Sequence, residues 1–238
     1  MRNLRDLWAG TVVVVVTAVL ATGAIVSSFF DRSGRSADRI TLWYARAVAW
    51  VSGMRVTAEG VEHVQPGRSF ILVANHRSHL DSVGLVLTCS LPMRMLAKDF
   101  LFRIPIFGQA IRRVGHIKVV REKGKTDMDA VRRQTESLIA HGRCLCVFAE
   151  GTRQPAGTIA PFKMGAFVLA KHCRLPIVPV SIVGTGRILP TKSFHFTPGQ
   201  AFIRYHAPIE PDDLDVEQLR EQTFAVVKKS AEELTERL

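Results

Sequence analysis

The stretch "ANHRSHLDS" (residues 74–82) sets Asn75, His76, Arg77, Ser78, His79 and Asp81 directly after the apolar run "FILV". His76 and Asp81 stand five positions apart. In one regular helix, residues at that spacing point roughly 140° away from each other, so an imidazole and a carboxylate could not meet. Across a strand–turn–helix corner they can. An imidazole held by a carboxylate keeps one tautomer, becomes more basic, and can take a proton from a hydroxyl near neutral pH. The competing reading is a polar corner in which both side chains only satisfy backbone groups and cap the next helix. Ser78 and Ser82 suggest a Ser–His–Asp arrangement, but neither has the GxSxG setting of a nucleophile elbow. Capping or local hydrogen bonding is the duty expected of both.

Three further stretches bring polar groups to the ends of apolar runs. "VGHIKVVRE" (114–122) holds a strand that ends with Arg121, and "VFAEGTRQ" (147–154) carries Glu150, Gly151, Thr152 and Arg153. "IVPVSIVGT" (177–185) holds Pro179 inside an apolar strand. Arginine at a strand end can grip phosphate oxygens with a planar fork.

The elements that must position these residues are readable as a pattern. Strand-like runs occupy 69–74, 93–97, 116–120, 143–148, 177–183 and 201–205. Helical patterns occupy 79–89, 126–140, 164–173 and 215–237. Thr126 and Asp129 form a capping-box signature at the start of the second helix, and Gly142 is its expected stop. Continuous apolar strands alternating with helices predict an α/β fold with a central, mostly buried mixed sheet flanked by helices. On this reading His76 lies in the turn after the first strand, and Asp81 in the first turn of the following helix. No GxGxxG or GxxxxGK[ST] loop is present, so nucleotide cradling is not indicated.

The chain has 238 residues, 47% of them hydrophobic, with 32 Lys+Arg against 21 Asp+Glu and a formal net charge of +11. One filled α/β domain plus an extra segment fits that length. The charge favours anionic partners. The basic residues are scattered beside apolar segments rather than blocked, which points to a membrane surface and not to nucleic acid. Residues 11–30, "TVVVVVTAVLATGAIVSSFF", contain no charge, and as a helix they reach about 30 Å, the thickness of a bilayer's hydrocarbon core. A cleaved signal peptide also fits Arg2, Arg5 and "ATGA", but the apolar character continues through Phe29 and Phe30, which favours a retained anchor. Arg32, Arg35, Arg39 and Arg46 follow the segment, an asymmetry that places the rest of the chain on the cytoplasmic side. Residues 40–54 put Trp43 and Trp50 on one helical face, which fits an interfacial helix and, equally, an amphipathic helix packed on the domain. The expected division is thus a membrane-anchoring region, 1–54, and a catalytic domain, 55–238. Cys89, Cys144, Cys146 and Cys173 sit in apolar runs without zinc or redox spacing, as free thiols of a reducing compartment would.

Taken in order, these stretches resemble the motif blocks of the glycerolipid acyltransferase family that acylates 1-acylglycerol-3-phosphate: NHxSxxD, a glycine–strand–arginine block, FPEGTRS, and a proline-containing apolar strand. The resemblance covers most of residues 55–210. It implies His76 as general base and Asp81 as its orienting carboxylate. It implies Arg121, Glu150, Gly151, Thr152 and Arg153 as substrate-binding positions, with Lys98 in "LAKDFLFRIPIFG" also near the phosphate. It further implies direct acyl transfer from acyl-CoA or acyl carrier protein to lysophosphatidic acid at a membrane, with no cofactor, and a metal is not expected because no His/Cys/Asp cluster has ligand spacing. Ala149 and Gln154 depart from the family's proline and serine and bear on the geometry of that loop. Glu150 on this basis either hydrogen-bonds the glycerol or orders Arg153, and backbone N–H groups near Gly151 are candidates for an oxyanion site. His79 and His116 are expected to be bystanders. Glycerol-3-phosphate or another lysophospholipid is the alternative acceptor, and a non-enzymatic lipid-binding protein or a metal-dependent hydrolase the alternative class.

Overall fold

The computed structural model describes residues 2–119, 121–122, 125–155 and 157–238, with side chains at 2–3 and 121–126 excepted. The chain begins with two helices, α1 (Arg2–Phe30) and α2 (Arg35–Ser52), followed by β1 (Met54–Glu59) and β2 (Ile71–Ala74). Then come α3 (Leu80–Thr88), β3 (Met93–Lys98), α4 (Phe107–Val114) and β4 (Ile117–Val119). A short hairpin, β5 (Arg121–Glu122) and β6 (Lys125–Thr126), leads into α5 (Met128–Ile139) and β7 (Cys144–Phe148). The remainder is α6 (Gly165–Cys173), β8 (Ile177–Val183), α7 (Thr185–Ile188), β9 (Gly199–Tyr205) and α8 (Val216–Thr235).

Seven strands form one mixed sheet in the order β1-β9-β8-β2-β7-β3-β4. Its pairs are parallel except β8 with β9. β2 lies at the centre with all four residues buried, because both faces of a parallel sheet are covered by its crossover helices. One face packs Ile71, Val73, Leu145 and Val147 against Val131 of α5, Phe167 of α6 and Val227 of α8. The opposite face sends Leu72, Cys146 and Val180 toward Leu85 of α3. The expected α/β layers with a buried central sheet are present.

The differences in detail have local causes. α5 is capped by Asp127, whose carboxylate accepts from Ala130 N–H, so the aspartate one residue on takes the capping position expected of Thr126. β1 lies outside the expected strands, since "MRVTAE" is not a continuous apolar run; it alternates apolar and polar residues, as an edge strand with one covered face does. The strand expected at 116–120 contributes Ile117–Val119, and Arg121 belongs to the separate hairpin.

α1 is long and apolar enough to cross a membrane. It nevertheless lies along the domain. Ala9 joins Ala45, Val48, Leu80, Val83 and Ala201 in one apolar cluster, while Ala21 and Ala24 pack on Ala110 of α4. Small residues line this inner side and let the helices approach closely, whereas Val14, Val15, Val19 and Val26 stand exposed on the outer side. Trp43 and Trp50 of α2 are also exposed, and Trp50 meets Trp8 edge-on at 6.1 Å between ring centroids.

Candidate active site

The carboxyl ends of β2 and β7 lie side by side, paired from Ile71↔Leu145 to Ala74↔Phe148. After β2 the chain turns toward α3 on one face of the sheet; after β7 it turns toward α6 on the other. Adjacent parallel strands whose chains leave to opposite faces open a crevice at their carboxyl ends, where α/β folds place ligands. The "ANHRSHLDS" corner fills one wall of this crevice and the "EGTR" loop the other.

At the first wall, Asn75 is fully buried and uses its amide as a piece of strand. Its Nδ2 donates to Ile182 O at 2.8 Å and its Oδ1 accepts from Ile182 N–H at 2.8 Å. The sheet is thereby extended by a side chain while the main chain turns away. His76 follows, with Nδ1 2.8 Å from Asp81 Oδ2. Asp81 is fully buried and gathers the N–H groups of Arg77 (2.6 Å) and Ser78 (2.9 Å) on Oδ2, with the Thr185 hydroxyl on Oδ1. The backbone donors belong to the turn that opens α3, where a negative group is favoured by the helix end. A carboxylate only accepts, so Nδ1 carries the hydrogen and Nε2 is left with its lone pair on the side away from Asp81. The ring is stacked on Phe148 at 4.0 Å between centroids and 15° between planes, which fixes its orientation from a second direction. Ser78 Oγ donates to Leu189 O and Ser82 Oγ to His79 O, so both serines serve as local structure.

The second wall locks onto the first through its backbone. Glu150 is buried; its Oε1 accepts from His76 N–H at 2.7 Å and Arg77 Nη1 at 3.2 Å, and its Oε2 accepts from Ala160 N–H at 2.8 Å. Gln154 N–H donates to His76 O at 2.9 Å. The carboxylate expected to hold glycerol or order Arg153 is therefore engaged with Arg77 and two backbone donors, and it braces the main chain at His76. Gly151 has φ +73, a left-handed turn that glycine adopts without a Cβ penalty, and its N–H donates to Phe148 O. That N–H is not available for an oxyanion. Thr152 accepts from Gln154 Nε2 within the turn.

Arg153 is half-buried. Partial desolvation lowers the His79 pKa and the nearby Arg153 charge lowers it further, although the His79 ring reaches solvent. Lys98 ends β3 and is exposed. Arg121 lies on β5; its side chain falls outside the described residues. His116 is tied into the sheet, with Nδ1 accepting from Met95 N–H at 3.0 Å, and burial together with the nearby Arg94 charge pushes its pKa down to about 3. The site also draws on Asn75, Phe148 and Thr185, which sequence reasoning does not single out. Asn75 opens the motif and Phe148 sits two residues before Glu150, so position in the blocks is an available signal for both; nothing local marks Thr185.

The acyltransferase family pattern matches residues 55–183, more than half of the chain. The chain belongs to the acyltransferase family. This family member is 28% identical over 210 residues to the chloroplastic 1-acyl-sn-glycerol-3-phosphate acyltransferase BAT2 of Brassica napus, a match covering 87% of this chain and 60% of that one. It is 32% identical over 187 residues to a 1-acyl-sn-glycerol-3-phosphate acyltransferase of Chlamydomonas reinhardtii, covering 77% and 55%. It is 31% identical over 169 residues to the human alpha enzyme of that name, covering 70% and 59%. The chain thus spans 55–60% of the length of these curated relatives. Its structure is similar to the crystal structure of the 1-acyl-sn-glycerophosphate (LPA) acyltransferase PlsC from Thermotoga maritima. The TM-score is 0.86 with 27% identity, over 99% of this chain and 98% of that one.

Proposed function

We propose that this acyltransferase-family protein moves an acyl group from an acyl thioester, carried on coenzyme A or acyl carrier protein, to the sn-2 hydroxyl of 1-acyl-sn-glycerol-3-phosphate, giving phosphatidic acid. The observation that carries the reading is the His76–Asp81 contact at the β2–β7 crevice, with Asp81 buried under three further donors. His76 Nε2 takes the proton of the acceptor hydroxyl as the oxygen attacks the thioester carbonyl. The tetrahedral intermediate collapses, the carbon–sulfur bond breaks, and the imidazolium returns the proton to the leaving thiolate. Asp81 stabilises the imidazolium between these two steps. No enzyme nucleophile is involved.

Arg153, Lys98 and Arg121 are the cations proposed for the acceptor phosphate, with Gly151 and Thr152 shaping the loop that carries Arg153. Glu150 holds His76 rather than substrate in this reading. The outer face of α1, with Trp43 and Trp50, is proposed to hold the protein in the cytoplasmic leaflet, where the lysolipid resides and a soluble carrier can reach the site. Relatives named for the same activity support the acceptor. The test is acyl transfer by purified protein to lysophosphatidic acid from acyl-CoA and acyl carrier protein thioesters, with products read by mass spectrometry. His76→Ala should lower the rate by about 10²–10⁴ with folding intact. A His76→Ala protein that transfers at the parent rate refutes the mechanism.

A further inference from the structure

We propose that Lys163, whose side chain lies across the bare Cα of Gly151, is a phosphate-binding cation of this site. The inference rests on the acyltransferase reading and deepens it by adding a residue that no motif block marks.

The segment returning to α6 runs beside the "EGTR" loop. Lys163 N–H donates to Ala149 O at 2.8 Å, and Ala160 N–H donates to Glu150 Oε2 at 2.8 Å. Phe162, between them, is buried and meets Phe224 of α8 edge-on at 5.2 Å. The backbone is thus pinned, and the exposed Lys163 side chain leaves along the "EGTR" loop. Its stem follows the bare Cα of Gly151. A Cβ added there would stand 2.7 Å from Lys163 Nζ, 3.0 Å from Cε and 3.1 Å from Cδ. Any other residue at 151 would displace the lysine, quite apart from the left-handed φ of +73.

The nearby charges give the ammonium its purpose. Glu150 is the adjacent carboxylate, and Arg77 with two backbone N–H groups already engages it. Among the described residues, no carboxylate pairs with Lys163 or with Arg153 two positions after the glycine. The loop that contacts the His76 main chain at both ends therefore carries Arg153 and is flanked at Gly151 by Lys163, two uncompensated cations on one wall of the site. Such a pair suits a phosphate monoester dianion, with Arg153 supplying a planar fork and Lys163 a mobile point charge. The phosphate can come from the lysolipid acceptor or from the donor's carrier; the recognition chemistry is the same.

The experiment compares full-length wild type with Lys163→Met and Lys163→Arg in mixed micelles. Melting is followed in parallel. KM and kcat are measured for lysophosphatidic acid, for the uncharged monoacylglycerol, and for acyl-CoA. Lys163→Met keeps the stem and removes the charge. It should raise one KM by about 10-fold to 100-fold, the size of a charge-assisted hydrogen bond, with kcat nearly unchanged and monoacylglycerol unaffected. Lys163→Arg should restore most of the loss. A rise for lysophosphatidic acid assigns the acceptor phosphate, and a rise for acyl-CoA assigns the carrier's. An unchanged KM for both, or a fall confined to kcat, overturns the proposal. Should wild type acylate no lysolipid, the functional reading fails by itself; weaker binding of glycerol 3-phosphate to Lys163→Met, read by calorimetry, then still decides the role of Lys163.

Discussion

Asp81→Asn is the change for which the structure predicts something different from the usual dyad argument. Replacing a carboxylate beside histidine by an amide commonly flips the imidazole tautomer, because the amide nitrogen can turn toward the ring, and the loss then reaches about 10⁴ in kcat. Here that rotation is blocked. The oxygen facing His76 also accepts from Arg77 N–H at 2.6 Å and Ser78 N–H at 2.9 Å. An NH₂ group in that place would point its hydrogens at two fixed backbone donors. The substituted amide must therefore keep its oxygen toward His76 and its nitrogen toward Thr185, whose hydroxyl can accept as well as donate. His76 Nδ1 still finds an acceptor and Nε2 stays free. What disappears is the negative charge opposite the imidazolium. A hydrogen bond to a charged partner is worth about 1.5–3 kcal/mol against about 1 for a neutral one, so the expected loss is roughly 0.5–2 kcal/mol, or about 2–30-fold in kcat. Stopped assays of the purified variant at saturating acceptor would read it. Asp81→Ala, which strands two backbone N–H groups and frees the ring, should lose far more. A loss of about 10³ or greater for Asp81→Asn would refute the oriented-amide reasoning, and no loss would refute the role of Asp81.

Three other outcomes follow from the same geometry. Glu150→Ala leaves the buried Arg77 guanidinium without its carboxylate and should cost about 3–5 kcal/mol in denaturant unfolding; a raised acceptor KM at unchanged stability would instead return Glu150 to the substrate. His116 has a folded pKa lowered to about 3 and His206 to about 4, so protons bind the unfolded chain first: stability is full above about pH 6.5 and falls toward pH 4, and His116→Gln, which can still accept from Met95 N–H, should flatten that fall measured by thermal melting. Val15→Glu with Val19→Glu, on the exposed side of α1, should weaken sedimentation with anionic liposomes while melting in detergent is unchanged, whereas Ala24→Glu on the packed side should unfold the protein; liposome binding unaffected by the first pair would remove α1 from the membrane surface.

The apolar runs announce β2 and β8 because parallel strands buried on both sides have nowhere to place a polar residue. β1 is missed by that criterion because its signal is the alternation of Met54, Val56 and Ala58 with Arg55, Thr57 and Glu59 rather than a continuous run. The His76–Asp81 pair is legible because its partners are five residues apart and one local corner joins them. Glu150 is not legible in its bracing role. Its partners His76 N–H and Arg77 lie 74 and 73 positions away, and Thr185 reaches Asp81 across 104. Such contacts exist only once strands are ordered, and the spacing of residue types carries no trace of them.

Strand order also rearranges what the motifs imply about the phosphate. Along the chain the arginine block stands between the histidine block and "EGTR", as though Arg121 were the nearer cation. In the sheet the order from the histidine strand is β2, β7, β3, β4. With strands about 4.8 Å apart, the "EGTR" loop starts one spacing from the base, Lys98 stands about 10 Å away, and the end of β4 about 14 Å away. The proposed cation Arg153 is then carried by the loop nearest the proposed base, with Lys98 one strand farther out. A glycerol phosphate spans only a few bonds between its sn-2 oxygen and its phosphorus. Arg153 is therefore the proposed cation nearest to that reach, and Lys98, two strands out, joins it at the acceptor phosphate only by extending its long side chain inward.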